Sequence, residues 1–104
     1  MLDIKQWLLS AGEPVADTGF ARGDAPGLPF VVFLDTVTNS GSDNANLLQN
    51  HGLTVERYCD TTDDNPALEA LLDALAVGYK KEKQWLNDME CYMTTYTFDL
   101  YLKK

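Results

Sequence analysis

The chain has 104 residues, 45% of them hydrophobic, and a formal net charge of −8. That length suits one domain able to bury roughly two-thirds of its unfolded surface, and the apolar content argues against disorder. The acidic balance, with no basic tail or stripe, excludes tight nucleic-acid binding by phosphate neutralisation.

The charge is spread along the chain: residues 1–52 hold 2 basic and 6 acidic groups, residues 53–104 hold 6 and 10. No apolar run approaches the ~20 residues a bilayer span needs. The start, Met1 to Gln6, lacks a basic region followed by an apolar core, so no secretory leader is expected and a cytoplasmic location is. Cys59 and Cys91 are too few for a disulfide framework and form no zinc motif. They are expected as buried free thiols; a bridge is geometrically open only if their strands are neighbours.

In chain order, residues 2–11 read as a short helix, with Ile4, Trp7, Leu8 and Ala11 on one apolar stripe. Gly12 is placed to cap it and Pro14 to prevent its continuation. Residues 12–28, carrying Gly12, Pro14, Gly19, Gly23, Pro26 and Gly27, read as a long loop anchored by Val15 and Phe20. The Arg22-Gly23-Asp24 tripeptide inside it matches an integrin-attachment signal, but three residues in such a chain are read as chance.

Phe30 to Asp35 is apolar on both faces and reads as a buried strand, covered by helix on one side. Thr36 to Gly52 reads as a second long loop, polar and rich in Asn, Ser and Gly. Leu53 to Cys59 alternates, with Leu53, Val55 and Cys59 one way and Thr54, Glu56 and Tyr58 the other, so a half-exposed strand pairs antiparallel to the previous one. Asn65 suits a helix N-cap and Pro66 the first helical position, with Asp63 and Asp64 near the positive end of the dipole. The helix that follows puts Leu68, Leu71, Leu72, Leu75 and Tyr79 on one face, and Lys80, Lys81 and Lys83 complement its negative end.

Glu82 to Leu86 reads as a short strand, turned by Asn87-Asp88 into a long closing strand over Glu90 to Leu102. One face of that strand carries Tyr92, Thr94, Tyr96, Phe98, Leu100 and Leu102, and should receive the leucine helix; the other is mixed and includes Cys91, Met93 and Tyr101. The sum is a single α+β domain over residues 1–104. It has a four-stranded, mainly antiparallel sheet with two helices packed on one face, in the order α-β-β-α-β-β.

Reactive chemistry is sparse. His51 is the sole histidine and is read as a solvated loop residue. Asp60, Asp63 and Asp64 lack the spacing of a calcium loop, and helix capping accounts for them. The glycines at 19, 23 and 27 follow no strand and lead to no phosphate-binding lysine. No catalytic residue, metal site or cofactor is expected, and the protein is read as not an enzyme.

Leu28-Pro29-Phe30-Val31-Val32-Phe33-Leu34, Ser42-Asp43-Asn44, and Val55-Glu56-Arg57-Tyr58 before an acidic helix start form a recognisable series. It continues with Leu68-Glu69-Ala70-Leu71-Leu72-Asp73, Tyr79, a charged linker, Trp85, and Tyr96-Thr97-Phe98-Asp99-Leu100. This series, over residues 28–102, resembles small prophage proteins of the head–tail connection and tail-completion cassette of siphophages of Gram-positive bacteria. The 19–27 segment departs from the pattern.

The resemblance implies a non-catalytic structural protein, a tail terminator or head–tail joining component forming a ring, commonly a hexamer, around the DNA path. Its partners would be copies of itself and the phage tail-tube and neck proteins, with DNA passing the lumen without specific binding and no membrane involved. Its location would be the virion, and the host cytoplasm during assembly. Candidate subunit or partner contacts in the loops are Phe20, Arg22, Asn44, Leu47 and Leu48. Those on the sheet are Tyr58, Trp85, Met93 and Tyr101. The alternative is a small ligand-binding or regulatory α+β domain without catalytic activity, which requires a closed apolar pocket beneath the 13–28 loop. A metal-dependent enzyme is the third reading.

Overall fold

The computed structural model describes residues 3–20, 26–39, 48–75 and 78–103, leaving aside the side chains of Asn39, Leu48 and Lys103. Its elements run α1 (Ile4–Leu9), β1 (Val15–Asp17), β2 (Phe30–Asn39), β3 (Leu48–Cys59), α2 (Pro66–Ala74), β4 (Lys80–Leu86) and β5 (Cys91–Lys103). The five strands form one sheet in the order β1-β2-β3-β5-β4. β1 lies parallel to β2, and every other neighbouring pair is antiparallel.

The α+β class stands, but the sheet is five-stranded and mixed rather than four-stranded. The extra strand sits inside the stretch read as a loop. Only three residues long, with only Val15 and Ala16 apolar, it is too short to show a period of two. It forms because Pro14 O accepts from Val31 N at 2.8 Å and Thr18 N donates to Phe33 O at 2.7 Å, which stitches it to β2.

Register sorts the side chains into two faces. On one lie Val15, Val31, Phe33, Leu53, Val55, Tyr96, Phe98 and Leu100, all buried. Ile4 and Leu8 of α1 and Leu68 and Leu72 of α2 complete this core. Burying each leucine fully contributes about 1.5–3 kcal/mol, so this layer is the main source of stability. The closing strand therefore turns its oily face to the helices, as its alternation required. Trp7 meets Phe98 edge-on at 6.4 Å between ring centroids.

Both helices are shorter than their apolar patterns. α1 is six residues long, started by Asp3, whose carboxylate accepts from Gln6 N at 3.1 Å, and followed by Gly12 at φ +94°. Glycine suits that left-handed position because it has no Cβ to clash. α2 starts as expected, with Asn65 Oδ1 accepting from Ala67 N at 3.0 Å and Pro66 in the first turn. It stops at Ala74, so Tyr79 and the lysines lie beyond it. Lys80, Lys81 and Lys83 do not cap the helix; they belong to β4, which begins at Lys80 rather than Glu82. Tyr79 still packs edge-on against Tyr96, at 5.5 Å.

The strands, by contrast, outrun their patterns. β2 continues to Asn39 and β3 begins at Leu48, so much of the supposed 36–52 loop is paired sheet. Polar Thr, Asn and Gln hid it, because a strand with both faces wet shows no hydrophobic alternation. β5 starts one residue late, since Glu90, at φ +51°, ends the turn of residues 87–90. The three long strands carry the molecule to 49 × 29 × 23 Å.

Candidate functional site

Polar side chains gather at the helix-covered end. Arg57 sits on the core face of β3 and is only 5% exposed. Its Nε donates to Glu13 Oε1 and its Nη2 to Glu13 Oε2, both at 2.9 Å, while Nη1 donates to Asp63 O at 2.7 Å. The hydrogen bonds to Glu13 raise its pKa further, outweighing the desolvation that opposes them. One guanidinium thus ties together the α1–β1 turn, β3 and the approach to α2. Asn65 Nδ2, donating to Ala11 O at 3.3 Å, adds a second tie between the same segments.

The second cluster joins β4 to α2. Lys81 Nζ bonds Asp64 Oδ2 at 2.8 Å and Glu69 Oε2 at 2.7 Å; Lys83 Nζ bonds Asp64 Oδ1 at 2.7 Å and also the Thr62 carbonyl. The buried Tyr96 hydroxyl donates to Glu69 Oε2 at 2.6 Å. Hydrogen bonds from Lys81 hold the Asp64 and Glu69 carboxyls below their usual range. Burial, reinforced by Glu69, pushes the Tyr96 phenol far up, so it stays a donor at any working pH. Of the acids read as caps, Asp64 is therefore a partner of β4.

At the other end, His51 is a correction. It lies in β3, not in a loop, and its Nδ1 contacts both Asp35 carboxylate oxygens at 2.9–3.0 Å. Its side chain is largely screened from solvent rather than solvated. A His–Asp pair can orient a base, but a nucleophile must reach the imidazole for acyl transfer. Among the described residues no Ser or Cys hydroxyl or thiol contacts His51, and no three His, Cys, Asp or Glu side chains gather as metal ligands. Cys59 and Cys91 are buried free thiols, and register faces Cys59 with Tyr92, which turns Cys91 to the opposite side of the sheet. Burial raises the Cys91 pKa, which suppresses thiolate reactivity.

The sequence-chosen contact residues fall in separate places. Arg22, Asn44 and Leu47 lie outside the described residues, as does the side chain of Leu48, whose backbone opens β3. Phe20, Tyr58 and Met93 belong together on the face away from the helices. Phe20 meets Phe30 edge-on at 5.3 Å, Phe30 stacks on Tyr58 at 5.1 Å, and Met93 is the cross-strand partner of Tyr58. Phe20 thus covers Phe30 beside buried Ala16 and Val32, making this half of the second face an internal minor core. Burial, then a hydrogen bond to Glu56, pushes the Tyr58 pKa up to about 12. All three are half-buried on this face.

Two of the chosen residues are open. Trp85, 49% exposed, packs edge-on to Tyr92 at 4.9 Å and donates to Asn87 Oδ1 at 2.7 Å. With Met89 it borders an open groove of about 440 Å³ at the β4–β5 turn. Tyr101, 66% exposed, stands on the second face near the far end of β5. Leu34 on that same face and Val37 on the helix face, 45% exposed, join it at that end of the sheet. Sequence reasoning missed Val37 by placing it in a loop; the Val-Thr alternation of residues 36–38 was the available signal.

No protein-family model matches this chain, and no curated protein matches it. No helix among the described residues is long and apolar enough to cross a membrane.

Proposed function

We propose that this chain is a structural assembly protein of a phage neck or tail, a tail terminator or head–tail joining component that forms a ring around the DNA path. The observation carrying the reading is the bare far end of β2, β3 and β5. The three paired strands leave Leu34, Val37 and Tyr101 exposed to solvent, while Leu100 on the helix face of the same stretch stays buried. Exposed apolar side chains grouped on an ordered sheet suit a contact surface. The residue strings at 28–34, 55–58, 68–73 and 96–100 supply the phage assignment by resemblance. A net charge of −8 per subunit suits a lumen that lets DNA pass without gripping it.

The ligand-binding alternative wants an enclosed apolar pocket beneath the 13–28 segment. Phe20 instead fills its own space against Phe30. Light scattering and negative-stain imaging at high protein concentration, with and without unfinished tail tubes, test the reading. Rings, or capped tubes of uniform length, are expected. A chain that stays monomeric at high concentration and leaves the tubes uncapped overturns it.

A further inference from the structure

The sheet has two unlike edges. On the β2 side, β1 covers only Val31 to Phe33, although β2 runs on to Asn39. Backbone groups of alternate strand residues point to opposite sides. Val31 N donates to Pro14 O and Phe33 O accepts from Thr18 N, so the odd-numbered residues of β2 face away from β3. Asp35 and Val37 therefore direct their N–H and C=O groups outward. Among the described residues no strand pairs with them there. This edge carries no lysine, proline or bulge, the usual devices that blunt a free edge, and its one charge, Asp35, is engaged by His51. The opposite edge is β4, exposed from Lys80 to Trp85 and bearing three of the chain's 8 basic residues.

Pairing two β4 strands about a two-fold axis sets like charges together in two of the three face-matched registers of longest overlap; only the one centred on Gln84 avoids them. A face-matched register centred on Glu82 sets Glu82 against Glu82 and Lys81 against Lys83; one centred on Lys83 sets Lys83 against itself. Antiparallel pairing of β4 with the β2 edge has no such conflict. Face-matched registers put Asp35 opposite Lys81, Lys83 or Trp85, and never opposite an acid. Two different edges meeting head-to-tail make a heterologous contact, which closes into a ring when the rotation permits.

We infer that the β2 edge over Leu34–Asn39 is the acceptor site for β4 of a second copy of this chain, joining neighbouring sheets by backbone hydrogen bonds. This rests on the ring reading above and specifies its contact. β4 supplies the complementary charge, and Val37 is the central outward-facing residue of the acceptor. Strand addition of this kind draws affinity from main-chain bonds and selectivity from the alternating side chains.

Three substitutions at Val37 test it, read by light scattering and imaging alongside the unaltered chain. Val37→Pro removes an outward N–H while sparing the β2–β3 ladder, and should abolish rings. In the registers that set Asp35 opposite Lys83 or Trp85, Val37→Lys brings an ammonium opposite Lys81 or Lys83 and should also abolish them, whereas Val37→Glu should keep them. The last two are equally polar at a solvent-facing site, so their contrast survives even if the proline variant fails to fold. Rings that persist in Val37→Pro and Val37→Lys overturn the assigned contact while the ring reading stands. Equal behaviour of Val37→Lys and Val37→Glu, or closed dimers in place of rings, overturns β4 as the partner. An unaltered chain that forms no ring, alone or on tail tubes, overturns both.

Discussion

The same three strands live two lives along their length. At one end, Val31, Val55 and Tyr96 share a buried cluster with residues of both helices, and Arg57 is held by hydrogen bonds to two connections. At the other, Thr36, Gly52 and Asp99 continue the same ladders without losing register, yet Val37 and Tyr101 face water. The sheet thus continues where only Leu100 and Leu102 of β5 still reach the core and the flanking side chains open to water. The covered end supplies the free energy, and the bare end uses it to hold a surface in shape.

Substitutions at the two ends should differ sharply in cost. The largest effects belong under the helices. Phe98→Ala removes a buried ring that touches Trp7 and should cost about 3–5 kcal/mol in urea unfolding. Arg57→Met should cost a comparable ~3–5 kcal/mol, because it strands the Glu13 carboxylate, itself largely buried, without its partner. If Arg57→Met proves neutral, the clamp is ornamental and the apolar layer alone sets stability.

A smaller loss, about 1–3 kcal/mol, is expected for Tyr96→Phe, which deletes the hydroxyl donor to Glu69 and keeps the ring. The same network predicts a pH dependence. Asp64 and Glu69 have folded pKa values below their ordinary 3.8 and 4.5, chiefly through hydrogen bonds from Lys81. Their contribution is present above those ordinary values and is lost as pH falls through the lower folded ones. Acid unfolding should thus begin below about pH 4.5, and Lys81→Met should flatten that part of the profile, measured by circular dichroism against pH. At the bare end, Tyr101→Ala should shift stability by no more than about 0.5 kcal/mol while weakening assembly. A stability loss equal to that of Phe98→Ala, with assembly untouched, would place Tyr101 in the core instead.

How legible all this was depended on whether a residue's neighbours in sequence are also its neighbours in space. The buried Leu68 and Leu72 of α2, its Asn65-Pro66 start and the two-faced character of β5 are local patterns that could be read directly, although Leu75, expected on the same helix face, is exposed. Arg57 was not so read, since its partner Glu13 lies 44 residues away. The alternation of Leu53 and Val55 did put position 57 on the core face; charge simply argued the other way. β1 and the far halves of β2 and β3 were hidden because cross-strand partners stabilise them, not composition. For the same reason His51 was taken for a loop residue. Of the residues chosen as contacts, Trp85 and Tyr101 are exposed, while Phe20 and Tyr58 pack on either side of Phe30, aromatic richness being a signal shared by cores and interfaces.

The position of β5 has a consequence for how the molecule is made. It is the latest of the strands in the chain and yet lies in the middle of the sheet, between β3 and β4. A ribosome that has delivered everything through β4 has produced two strands with no common neighbour. Residues 91–103 must emerge before either is paired on that side. Folding of this sheet is thereby deferred until β5 has been made, and a product cut short before Cys91 would expose the whole inner flank of β3 to aggregation.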